Sequence, residues 1–241
     1  MNHLEASFTG NNHPGRYVVM TGAVLLAANT VGSIPLLLAY AVRAASDPGI
    51  AGEIAANPSD LNAIGLDQNL MLALMLIPFI AGLITFMLLI RPLHKRSFLS
   101  AINGTGSFRW RNFLISAFVW LLLSSAYLLF YVKIDPSNFT INNTTITLLI
   151  LSILAILLIP FQAALEEVLF RGYLMQGFSV LFRNRWMPVA LTSVLFGLMH
   201  SFNPEVKEFG FLSMIPQYIL FGLMFGIVTI LDDGIEAAMG A

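Results

Sequence analysis

The chain has 241 residues, 57% of them hydrophobic and only 10% charged, with a mean hydropathy of +0.80, whereas a soluble domain carries roughly 25% charged residues. That balance excludes an ordinary water-soluble domain and predicts a chain whose main solvent is lipid. A formal net charge of -1 without a basic block gives no grip on a nucleic-acid backbone, and the absence of cysteine excludes disulfides, thiolate catalysis and cysteine-held metals.

In chain order, sixteen mostly polar residues, MNHLEASFTGNNHPGR, come first and are expected to form a cytoplasmic N-terminal segment ahead of a transmembrane domain over 17–241. Crossing a hydrocarbon core about 30 Å thick takes about 20 apolar residues. Such runs lie at about 17–42, 68–90, 112–132, 145–165, 187–201 and 211–231; the fifth is short and must cross obliquely or be completed by its flanks. The first run is longer than the apolar part of a cleaved signal and follows a weakly positive start, so it reads as a retained helix. Pro35 is its expected kink. The 43–67 linker is too polar to span and is expected to be a loop with a short surface helix.

That linker carries one basic and four acidic residues, whereas Arg91, Lys95, Arg96, Arg109 and Arg111 crowd the next one without an acidic partner. Loops rich in Lys and Arg stay in the cytoplasm, so 91–111 and Arg183/Arg185 are expected there together with the N-terminus. The segments 43–67, 133–143 and 202–210 are then outside. N-x-Thr patterns at 138–140 and within 142–145 are too short to establish glycosylation. The expected architecture is an all-α, polytopic transmembrane helical bundle of about six complete spans plus the start of another.

The fourth run closes on LEEVLFRGYLMQ. An ionisable residue inside a span costs about 2.5–3.5 kcal/mol on insertion scales, so it marks chemistry, a transport path or a buried pair. On a helix Glu167 and Arg171 are four residues apart and share a face, while Glu166 points about 100° away. Glu167 is therefore expected to be held by Arg171, and Glu166 to face a wet cavity where it can take a proton from water. A structural network or a proton or solute pathway would use the same residues. In the fifth run Phe196 and His200 share a helical face. An imidazole beside a carboxylate from another span can position and deprotonate water near a carbonyl carbon. Gly172, Gly177, Gly197, Gly222 and Gly226 are candidates for close helix contacts, with Gly222-x-x-x-Gly226 a small-residue packing pattern. Phe170, Tyr173, Phe196 and Phe202 either line a channel or pack as ordinary core.

The ordered pair EExxxR and FxxxH, in LEEVLFRGYLMQ and SVLFGLMH, resembles the CAAX-protease and bacteriocin-processing (CPBP, or Abi) family of intramembrane proteases, most strongly from about Ile159 to Gly226. The resemblance implies a multi-helix endopeptidase in which Glu166, Glu167 and His200 are catalytic and Arg171 and Phe196 support them. It implies a peptide or membrane-protein substrate and contact with membrane lipids. It also implies an integral protein of a prokaryotic cell membrane. Prenyl dependence does not follow.

Family members generally carry a further histidine, followed four residues later by asparagine or aspartate, on the next helix. LDDGIEAAMG resembles the start of that helix, and no histidine follows His200 before Ala241, so that part of the site is expected either beyond this sequence or not at all. A metalloprotease version would use zinc, with Glu166 and His200 as candidate ligands beside the further histidine, since catalytic zinc commonly takes three protein ligands. A metal-free glutamate protease fits the same residues. The alternatives outside proteolysis are a non-catalytic binding or peptide-immunity protein and, less in keeping with the motifs, a transporter.

Overall fold

A computed structural model describes residues 2–56, 65–140 and 145–241, and every regular element among them is helical. The helices are α1 (Pro14–Asn29), α2 (Ile34–Ser46), α3 (Pro48–Ala56), α4 (Gln68–His94), α5 (Leu99–Ile102), α6 (Trp110–Ile134), α7 (Thr145–Glu167), α8 (Met175–Phe182), α9 (Trp186–Met199), α10 (Pro204–Phe209), α11 (Phe211–Asp232) and α12 (Glu236–Gly240). Short 3-10 turns occupy Glu5–Phe8 and Pro136–Asn138, and a π-helical turn, Val168–Leu174, joins α7 to α8.

Among the described residues five stretches are long and apolar enough to cross a membrane: Pro14–Ser46, Gln68–His94, Trp110–Ile134, Thr145–Phe182 and Phe211–Asp232. Trp186–Met199 is a shorter apolar helix, about 21 Å long at 1.5 Å per residue. The polytopic helical bundle expected from the sequence is the observed fold. The expected surface helix in the 43–67 linker is α3, while 57–64 and most of the N-x-Thr pattern at 142–145 lie outside the described residues.

Two expectations are corrected. Pro35 does not kink a continuous helix. The chain turns at 30–33, with Gly32 N–H bonded to Ala27 O at 2.9 Å, and Pro35 falls in the first turn of α2, where its missing N–H would have no helical partner anyway. The fourth stretch, expected to end at 165, runs on to Phe182. Two of its charges, Glu167 and Arg171, pair with each other within the stretch.

The described chain forms two compact units, divided within α1, α4 and α7. One consists of Gly22–Phe86 and Asn142–Leu165. Its contacts depend on small residues: a Cβ on Gly32 would stand 2.5 Å from Pro78 Cα, and one on Gly82 would stand 2.7 Å from Leu165 Cδ2. Asn69 donates to Thr147 O at 3.3 Å.

The other unit, Met1–Thr21, Met87–Ile141 and Glu166–Ala241, carries all the sequence-expected site residues. At its centre α9 packs along α11. A Cβ on Gly222 would stand 2.8 Å from Ser193 Cα, and one on Gly197 would stand 2.5 Å from Ile219 Cγ1, so two of the expected packing glycines set this approach. The N-terminal residues are folded into this unit. His3, Ala6 and Ser7 are buried, Asn11 N–H bonds His94 O at 2.9 Å, and Arg96 Nη1 reaches Ala6 O at 3.3 Å. Arg109 clamps Asp232 at 2.9 Å and the buried Glu236 at 2.5 Å, which fixes the turn between α11 and α12.

Candidate active site

The π-helical turn begins directly after Glu167. At its far end Met175 N–H bonds Phe170 O, one residue further back than in an α-helix. Such wide turns inside α-helices recur at functional sites. Across this one, Arg171 Nη1 meets Glu167 Oε1 at 2.7 Å, with both side chains buried. The paired charges explain how the helix carries them at an apolar depth. Glu166 is half-buried. Glu167 Oε2 and Arg171 Nη2 are also buried and make no hydrogen bond among the described residues. Unsatisfied buried polar atoms are rare in native folds and call for a functional explanation.

Arg171 carries the site across to α9. Its guanidinium carbon lies 4.2 Å from the centroid of Phe196 and 5.7 Å from that of Phe225, within the range of a cation–π contact. Phe196 also meets Phe170 edge to face, with centroids 5.3 Å apart. One helical turn on, His200 caps α9, and its Nδ1 bonds Phe196 O at 2.7 Å. A carbonyl only accepts, so Nδ1 carries the hydrogen and Nε2 is the basic nitrogen of the neutral ring.

The His200 ring stacks on Tyr218 of α11, with centroids 4.1 Å apart and an interplanar angle of 21°. The Tyr218 hydroxyl donates a short hydrogen bond to Glu205 and accepts one from Asn203 Nδ2 at 3.2 Å. That hydroxyl, helped by the Glu205 backbone N–H and Asn203, holds the Glu205 carboxyl below its ordinary range against partial desolvation. The expected residues Glu167, Arg171, Phe196 and His200 thus form one continuous run of contacts, and Glu166 directly precedes its first member.

Tyr218, Glu205 and Asn203 were not anticipated as site residues. The only sequence signal near them is Asn203-Pro204, which reads as a helix start. Of the aromatics expected either to line a channel or to pack as ordinary core, Tyr173 packs in a buried cluster, where its hydroxyl bonds His94 Nε2 at 2.6 Å, and Phe202 is 88% exposed. A cavity of about 570 Å³, lined by His3, Glu5, Ser179, Arg183, Arg185 and Asp233 among others, includes none of the expected catalytic residues. Among the described residues no three His, Asp or Glu side chains gather closely enough to hold a metal ion. The donors described therefore do not fit a three-ligand zinc centre.

Residues 145–241 match the family model described as Type II CAAX prenyl endopeptidase Rce1-like, a stretch that holds the π-helical turn, α9 and α11. The chain is 28% identical over 246 residues to "Uncharacterized protein YyaK" of Bacillus subtilis (strain 168), covering 100% of this chain and 78% of that protein. No solved structure matches it. Over residues 145–241 the match agrees with the resemblance to the CPBP family of intramembrane proteases, and the long apolar helices support an integral membrane protein.

Proposed function

We propose that the chain is an intramembrane endopeptidase in which Glu166 and His200 activate water against a peptide carbonyl. The observation that carries this assignment is the unbroken run of contacts from Glu167 through Arg171 and Phe196 to His200. It joins the EExxxR and FxxxH segments, which are far apart in sequence.

The Glu166 carboxylate takes a proton from water as the water oxygen attacks the carbonyl carbon. The tetrahedral intermediate then collapses with cleavage of the C–N bond, and the proton passes to the leaving amine. His200, with its Nδ1 hydrogen committed to Phe196 O, presents Nε2 to accept a hydrogen bond from that water. Tyr218 fixes the plane of the imidazole, and Glu205 and Asn203 hold the Tyr218 hydroxyl. Glu167 and Arg171 set the charge and geometry beside Glu166. The N-terminus is assigned to the cytoplasmic side, supported by its contacts with the arginine-rich 91–109 segment.

The test is hydrolysis of a transmembrane peptide library in H2(18)O by the purified full-length gene product. One heavy oxygen in each new carboxyl terminus, lost in Glu166→Gln, is the expected result. Peptide binding without cleavage would instead identify a non-catalytic binding protein, and flux across sealed liposomes without cleavage would identify a transporter.

A further inference from the structure

A π-helical turn gives up hydrogen bonds that an α-helix would make. The carbonyl of Arg171 would take the N–H of Met175 in an α-helix, but that N–H is bonded to Phe170 O. Arg171 O accepts instead from the ring of His3, at 2.9 Å and in a buried setting, across 168 residues of sequence. Since a carbonyl only accepts, His3 Nε2 carries the hydrogen and Nδ1 is the acceptor, facing Gln176 Nε2 at 3.5 Å.

The backbone of His3 is held as well. Its backbone N–H donates to Asp233 Oδ1 at 2.6 Å, and its carbonyl accepts from Gln176 Nε2 at 2.9 Å. Gln176 also donates to Ser100 O at 2.8 Å and accepts from Arg96 Nη1 at 3.0 Å. On another side of the same turn, a Cβ on Gly172 would stand 2.4 Å from Ala101 O. The π turn is therefore gripped by the N-terminal segment and by α5. Nothing in the proposed reaction uses His3, and nothing in a polar N-terminal stretch would mark it.

We propose that His3 is a positioning residue of this active site: it donates to the Arg171 carbonyl given up by the π turn and so fixes the helix that presents Glu166, Glu167 and Arg171. This rests on the protease assignment, and it gives the N-terminal segment a part in catalysis without any contact with substrate. Removing the donor lets the turn relax toward an α-helical register, which would rotate Glu166 relative to His200. Misplacement by about 1 Å costs on the order of 100-fold in rate.

The test compares His3→Ala and His3→Gln with wild type, as full chains in detergent, by peptide cleavage and by amide hydrogen exchange over residues 168–176. The expected result for His3→Ala is a kcat reduced by about 10- to 100-fold, an unchanged KM and faster exchange confined to that segment. His3→Gln keeps a side-chain N–H donor and restores most of kcat and of the protection. An unchanged kcat in His3→Ala, or a glutamine variant no better than alanine in both readouts, overturns the proposal. A wild type that cleaves nothing, while His3→Ala still loosens 168–176, overturns the protease assignment and leaves the clamp standing as a structural tie.

Discussion

Replacing Arg171 by methionine removes a guanidinium that is 1% exposed and leaves Glu167, 5% exposed, without its ion-pair partner at 2.7 Å. Breaking one side of a buried pair costs about 3–5 kcal/mol, because an uncompensated charge stays in a medium of low polarity. The contact with Phe196 at 4.2 Å adds about 0.5–2 kcal/mol. At about 2–4 °C per kcal/mol for a chain of this size, the ion-pair loss alone lowers the thermal midpoint by about 6–20 °C. Thermal unfolding in detergent, followed by intrinsic tryptophan fluorescence, reads this directly. The double variant Glu167→Gln/Arg171→Met removes both charges and should be more stable than Arg171→Met alone, since neutral side chains of similar volume often replace a buried pair without loss. A single variant within about 1 °C of wild type, well under the shift expected for 1 kcal/mol, or a double variant whose loss is the sum of the singles, would refute the buried-pair reasoning.

Gly222→Ala should destabilise by about 1–3 kcal/mol through overpacking, because its Cβ would meet Ser193 Cα at 2.8 Å; thermal unfolding should show no such loss for Gly22→Ala, where nothing lies within 4 Å. Glu236 is desolvated, yet hydrogen bonds led by Arg109 hold its carboxyl below the ordinary value of 4.5. Its stabilising contribution is therefore complete above pH 4.5 and lost as the pH falls through the folded value, and a Glu236→Gln stability profile should be flatter over that acid range. Burial lowers the His3 pKa below 6.5, against the Arg171 carbonyl and the charges of Asp233 and Glu236. Folding favours the neutral ring, so stability from this group is present above 6.5 and falls as the pH drops below it; His3→Gln should remove that slope in denaturation curves below pH 6.5. Tyr218→Phe keeps the ring against His200 but loses the bonds to Glu205 and Asn203, and should lower kcat in peptide cleavage with little change in KM.

The spans were legible because a hydrocarbon core imposes a length and polarity rule that composition obeys directly, from Gln68–His94 to Phe211–Asp232. The Glu167–Arg171 pair was legible because i,i+4 spacing survives even in a widened turn. The π turn was not, because it is a shift of hydrogen-bond register with no residue type of its own. Glu166, Glu167 and Arg171 read in the sequence as an end to the apolar run, although the buried Glu167–Arg171 pair lies within a helical stretch that continues to Phe182. Pro35 is a helix breaker in any reading, and the turn at 30–33 ahead of α2 shows that the break comes before it. Tyr218 and His3 join the site through stacking and through a bond across 168 residues. Neither relation leaves a local pattern in the sequence.

The most direct measurement is kcat for cleavage of one transmembrane peptide by the full-length gene product in proteoliposomes, with wild type set against Glu166→Gln and His200→Ala at matched folded fraction. General-base catalysis contributes about 100- to 10,000-fold, and each variant is expected to lose a factor in that range with the cleavage position unchanged. Cleavage at the wild-type rate by Glu166→Gln would contradict the assignment of the base, and no cleavage by wild type would contradict the proposed activity itself.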